Sequence, residues 1–234
     1  MSFTPPPKSA DLVKDIPFDT ATDTAVDAKK RYDDFDQSGT KDPNCCQALL
    51  QFPNVGAVFW SSKMAIDADG PAAGPGCRNG RQLDPGSGQN QTSLTLGAEG
   101  SLPSESVRYI VLPEKKKDSP DSFHPDLAIG DVAVVIYKDK LTTAICGDMG
   151  PPNKIGEASI ATHLGLKGAA PDPCKRDSPD GPCSRITDCS VEQDVLFFVF
   201  PGSAFDADEL TVANVNAKVG ARALSSFTAL GGTP

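Results

Sequence analysis

Histidine is nearly absent from this chain, with only His124 and His163 in 234 residues. Two imidazoles are too few for a typical histidine-rich catalytic metal centre. Cys174, Cys183 and Cys189 lack the close Cys-x2-Cys pairs of a zinc site, so no metal is expected there. No run of 18 apolar residues occurs, which excludes a transmembrane helix of the usual length. The start, MSFTPPPKSADLV, has no basic-then-apolar secretory pattern, which leaves cytoplasmic, processed and otherwise exported forms open. A G-x-S-x-G elbow, a phosphate-binding loop and a dinucleotide fingerprint are all missing. Basic residues are outnumbered 22 to 31, for a net charge of -9 and a pI near 4.7. An acidic chain is a poor match for nucleic acid or an anionic membrane and suits a cationic or neutral partner.

Turn formers are plentiful, with 21 glycines and 21 prolines, and this favours short strands over long helices. The length fits one domain, expected over residues 21–234 behind a loosely held arm at 1–20. Thr24 to Phe35 reads as a polar outer helix, and Lys41 to Gln51 as a second short helix or turn around the adjacent Cys45 and Cys46. Val55 to Asp67 reads as a strand with a bend at Ser61 and Ser62. A long connection over 70–106 holds a possible short strand at Ser93 to Leu96, and Val107 to Leu112 is a further strand. Glu114 to Asp126, with three successive lysines, is a charged turn. Val132 to Tyr137 and Leu141 to Cys146 flank a polar turn and predict a hairpin. Val195 to Phe200, apolar at every position, predicts a central strand buried on both sides. Asp206 to Val219 is expected to form an amphipathic helix packing through Leu210, Ala213 and Val215, after which the chain trails off. The loop over 167–194 cannot bury its three cysteines well, so disulfides are expected there. Cys146 is the expected free thiol, and His163 is expected at the surface.

The chemistry concentrates at 131–166, where Asp148 and Glu157 stand nine positions apart. Asp148 follows the second hairpin strand and precedes Gly150-Pro151-Pro152, where ordered backbone meets a loop. Glu157 is expected in or just before the first turn of a helix running to about Leu164, where the helix dipole favours a negative charge. Two carboxylates facing one cleft can hydrolyse a glycosidic bond: one protonates the leaving oxygen, the other activates water or attacks the sugar. Asp67-Ala68-Asp69-Gly70 is a second acidic cluster. As a calcium loop it fails, because Pro71 and Arg78 would fall at ligand positions. It reads either as an Asx turn or as acceptors for substrate hydroxyl or ammonium groups.

Four segments together resemble the family 75 glycoside hydrolases, the fungal-type chitosanases. They are MAIDADG (Met64 to Gly70), YIVLP (Tyr109 to Pro113), the stretch from Gly130 to Ser159 containing GDMGP and IGEAS, and VLFFVFPGS (Val195 to Ser203). The resemblance spans roughly 55–203 and departs from the family in its loops at 70–106 and 167–194 and in the missing signal sequence. It implies endo-hydrolysis of β-1,4-linked glucosamine polymers with inversion, without metal or organic cofactor, by Asp148 and Glu157. Asp67 and Asp69 then become substrate-binding candidates, with Trp60 and Lys63 beside them. The fold expected is mainly β, a six-stranded, double-psi-like barrel with short peripheral helices and long loops. The partner expected is a cationic amino-sugar polysaccharide such as chitosan, met by a secreted or extracytoplasmic monomer. Two rivals keep the barrel: a peptidoglycan-cleaving hydrolase or lytic transglycosylase, and a carbohydrate-binding module that cuts nothing.

Overall fold

Apolar, β-branched residues at consecutive positions can only be buried on both faces of a wall, and this chain builds such a wall by closing a sheet on itself. The computed structural model describes residues 3–23, 46–71, 89–114, 126–152, 154–178, 181, 183–187, 190–206 and 208–234. The strands are β1 (Thr22–Asp23), β2 (Cys46–Phe52), β3 (Ala57–Asp67), β4 (Tyr109–Pro113), β5 (Val132–Tyr137), β6 (Lys140–Gly150), β7 (Glu157–Ser159), β8 (Cys174–Arg176), β9 (Cys183–Ile186) and β10 (Val191–Phe200). The helices are α1 (Ala10–Val13), α2 (Ile160–Gly165) and α3 (Val215–Ala229). The order β3-β10-β5-β6-β4-β7 returns to β3 through a parallel β7–β3 pairing, so six strands form the closed, mainly β barrel expected from sequence.

Alternation then sorts the side chains. Trp60, Ile110, Val135, Cys146, Ala158 and Phe197, one from each barrel strand, share a single buried cluster and fill the interior. Their neighbours Phe59, Val111, Val134, Ile145 and Phe198 point outward into a second apolar layer. That outer layer is covered by Val219, Ala223 and Phe227 of α3 and by Val13, Ile16 and Phe18 of the N-terminal segment.

Several expectations are corrected. Residues 3–20 are held against the barrel and not loose: Phe3 packs on Phe59, and Phe18 packs on Phe52 and Phe59. Cys46 to Gln51 is strand, not helix, because β2 pairs along the first half of β3. β3 itself passes Ser61 and Ser62 without interruption; the irregularities lie in its neighbours, in β2 between Cys46 and Ala48 and in β10 between Val191 and Val195. The strand expected at Ser93 to Leu96 is reduced to one bridge, Thr95 to Ser101. The C-terminal helix starts at Val215 and continues to Ala229, with Leu210 and Val215 buried but Ala213 exposed. The hairpin and the central strand stand as expected, the latter between β3 and β5. Cys174 and Cys183 form a disulfide joining β8 to β9, and the Cys146 thiol is free and buried. Thr24 to Phe35, residues 72–88 and 115–125, Cys45 and Cys189 lie outside the described residues. Among the described residues no helix is long and apolar enough to cross a membrane.

Candidate active site

Asp148 owes its direction to a bulge. Cys146 lies opposite Ile110 and Asp148 opposite Val111, so β6 carries one extra residue, Gly147, against β4. A side chain at 147 has no room, since a Cβ there would stand 2.6 Å from Leu102 Cδ1 and from Tyr109 Cβ. The bulge reverses the alternation. Cys146 stays inside the barrel, and Asp148 turns to the outer face with Val111. Asp148 Oδ1 accepts from the Ser93 backbone N–H (2.9 Å), the Ser93 hydroxyl (2.7 Å) and the Met149 N–H (2.8 Å).

Glu157 begins β7 and is not in a helix, which corrects the expectation of a dipole-stabilised first turn. The helix begins three residues later, capped by the Ser159 hydroxyl accepting from Thr162 N–H. Glu157 is extended because β7 is held on both sides, parallel to β3 and antiparallel to β4. Ile110 stands opposite Ala158, which puts Val111 beside Glu157 and makes Asp148, Val111 and Glu157 one row across three strands. Residues in such a row face the same side, so both carboxylates leave the wall in the same direction. Gly150 lets β6 pass close over Val111, as a Cβ there would stand 3.0 Å from Val111 Cγ1. Burial pushes the Glu157 carboxyl above its ordinary range, against the pull of the Lys154 ammonium, which is 2.5 Å from Glu157 Oε1.

Asp67 and Asp69 reach the same groove from the end of β3, and Gln89, Val111, Met149 and Lys154 line it with the four acids. Asp67 Oδ1 accepts from the Asp69 N–H (2.6 Å), and the Tyr109 hydroxyl lies 3.2 Å from that oxygen and donates to the Asp69 carbonyl at 3.0 Å. Burial first, and then the neighbouring Glu157 and Asp69, hold the Asp67 carboxyl well above the usual range. Asp69, half-buried, is raised to about 6, chiefly by burial. Asp67, Asp69 and Asp148 each offer a carboxylate oxygen within 4.8 Å of the others, a hard-oxygen set able to receive a cation or a protonated amine. The loop that carries Ser93 is tied down at both ends of this set, with Gln89 N–H on Asp69 Oδ1 (2.6 Å) and Leu94 N–H on the Gly147 carbonyl (2.9 Å).

Asp67, Asp69, Asp148 and Glu157 are therefore brought together. Trp60 is not: it is 1% exposed and stacks on Phe197 inside the barrel, because its position alternates with the outward Phe59. Lys63 is also buried and does not line the groove, though its charge is near enough to Glu157 to lower that carboxyl's pKa. His163 is fully buried rather than at the surface; its Nε2 pairs with the Ala65 carbonyl at 3.2 Å, and burial lowers its pKa to about 4. Sequence reasoning missed Ser93, Tyr109 and Lys154. The lone phenol within the apolar YIVLP strand was the one local signal among them.

A groove that presents two carboxylates from one row meets the chemical requirement of a glycoside hydrolase. Residues 64–233 match the family model described as fungal chitosanase of glycosyl hydrolase group 75, and the chain belongs to that family, so it is a glycoside hydrolase. No curated protein matches the chain.

Proposed function

We propose that the protein hydrolyses β-1,4 linkages in a glucosamine polymer of the chitosan class, endo-wise and with inversion, outside the cytoplasm and as a monomer. Glu157 is the general acid and Asp148 the general base. The observation that carries this reading is the row Asp148, Val111, Glu157. Two strand spacings separate the acidic residues by about 10 Å between Cα atoms. Inverting enzymes hold their carboxyl groups about 6.5 to 9.5 Å apart, with room for water between base and sugar.

The roles divide by environment. A carboxyl whose pKa burial has raised still holds its proton when the glycosidic oxygen needs one, which suits Glu157. Asp148 Oδ1 is fixed by its three donors, which leaves Oδ2 to take a proton from the attacking water. As the water oxygen bonds to C1, the C1–O bond breaks and the leaving oxygen takes the Glu157 proton. Asp67 and Asp69 at the rim receive ammonium groups of neighbouring sugars, and the net charge of -9 draws a polycation toward them.

The test is product analysis on chitosans of graded acetylation, with the anomeric form followed by NMR. Wild type is expected to release reducing ends of inverted configuration. Asp148→Asn and Glu157→Gln are each expected to fold normally and lose about 10²- to 10⁴-fold in turnover. Retained turnover in either variant removes that residue from the mechanism. Anhydro sugars released from cell-wall sacculi, with chitosan untouched, would assign the groove to lytic peptidoglycan cleavage.

A further inference from the structure

Lys154 is the only cation among the described residues lining a groove that carries four carboxyl groups. It is not a surface charge paired by chance. Its side chain is 15% exposed and that of Glu157 11%, and the two stand in contact. A substrate made of ammonium-bearing sugars is a strange choice of ligand for a site with a lysine against its acid, unless the lysine can leave. The lysine ammonium and a protonated 2-amino sugar are the same chemical group, a compact cation with three donors. Both seek the same carboxylates.

We propose that the Lys154 ammonium is a built-in surrogate for the substrate's amino group: it holds the position beside Glu157 and yields it to an incoming glucosamine. The inference rests on the chitosanase reading and adds a specificity-determining residue to it. Its mechanics need no backbone movement. Lys154 sits in the connection between β6 and β7, whose far end is pinned at Gly156 (φ 74°), where a Cβ would meet the Lys63 carbonyl at 2.0 Å. The flexible four-carbon stem can therefore swing while Glu157 stays in its row. An N-acetylated sugar at this position has no charge with which to displace the lysine.

Binding of a glucosamine hexamer and of an N-acetylglucosamine hexamer is measured in Asp148→Asn, which should bind without cutting, and in the same variant with Lys154→Met or Lys154→Arg. Removing the competing charge is expected to tighten glucosamine binding about fivefold, the equivalent of about 1 kcal/mol. The acetylated oligomer should change by less than about twofold, and the arginine variant should keep the unmodified affinity within that margin. Unchanged or weaker glucosamine binding in Lys154→Met overturns the proposal, as does equal tightening for both oligomers, which would point to space rather than charge. Chitosan turnover by the wild type is the separate control. Its presence alongside an unresponsive Lys154 sinks only this inference, and its absence sinks the chitosanase reading as well.

Discussion

The outer face of this barrel is used in two opposite ways. Over β5, β10 and the start of β3 it is an apolar layer of Phe59, Val134 and Phe198, sealed by α3 and by the N-terminal segment. Over the ends of β6, β4 and β3 and the start of β7 the same face carries Asp148, Glu157 and Asp67 and is left open as a groove. One closed wall runs beneath both, and the difference arises from the side chains it presents and, at Asp148, from the Gly147 bulge that turns one of them outward. Where the row is apolar a helix must cover it; where the row is acidic a helix would strand charges away from water. The groove is thus a stretch of wall that cannot be roofed, and the roofed part keeps it rigid.

That contrast is broken most severely by removing the roof's main contact. Phe227 is fully buried, packs edge-on to Phe198 with ring centroids 5.2 Å apart, and has Gly232 against its ring. Phe227→Ala is expected to cost about 3–5 kcal/mol of stability in denaturant unfolding. The kcat per folded molecule should hold, since the groove contributes nothing to that cavity.

The next effect is on pH. His163 has its folded pKa lowered to about 4 from 6.5, so it favours the native state fully above 6.5 and less as pH falls toward 4. Acidification from 7 to 4 should therefore remove about 3 kcal/mol through this residue. His163→Gln, which can still donate to the Ala65 carbonyl, should flatten that acid limb in a melting curve series.

Tyr109→Phe removes the phenol shared by Asp67 and the Asp69 carbonyl. It should cost about 1 kcal/mol in stability and raise KM for chitosan more than it lowers kcat. A kcat loss as large as that of Glu157→Gln would instead place the phenol in the chemistry.

The smallest change expected is in Asp69→Asn. Because the folded pKa of Asp69 is raised to about 6, the native state binds that proton more tightly than the unfolded chain does. Asp69 therefore weighs against stability once pH rises through 6 and not below about 3.8. The amide should raise Tm slightly at pH 8 and leave it unchanged at pH 3.5, at the expense of chitosan affinity. A lower Tm at pH 8 would show that the Gln89 hydrogen bond needs the charged form.

How legible all this was in the chain depended on how local the cause was. The hairpin at β5 and β6 and the buried β10 follow from their own residues and were readable. The acids of the groove were readable as residue types near breakers, and four of the six candidate site positions converge. Glu157-Ala158-Ser159 read as a helix start because three residues are too short to show alternation; only β3 and β4 on either side make them a strand. Trp60 looked like a sugar platform because an aromatic in a strand has two possible faces, and which is inside depends on Phe197 far along the chain. Cys46 to Gln51 failed for the same reason, since its strand character comes from β3. The C-terminal helix could have been placed correctly: Val215, Val219, Ala223 and Phe227 recur every four residues, and all are buried. Ser93 and Lys154 act only through partners that folding brings to them.

Gly147 has a consequence for how such a groove can arise or be lost. With a regular ladder, positions 146 and 148 would share a side, and the Asp148 carboxylate would be driven into the apolar barrel beside Cys146. Looping one residue with no side chain out of the ladder turns that carboxylate toward substrate. Base chemistry on this wall therefore depends on position 147 staying out of register between Leu102 and Tyr109, so Gly147→Val, by forcing that bulge to rearrange, should disturb it as severely as an exchange of Asp148 itself.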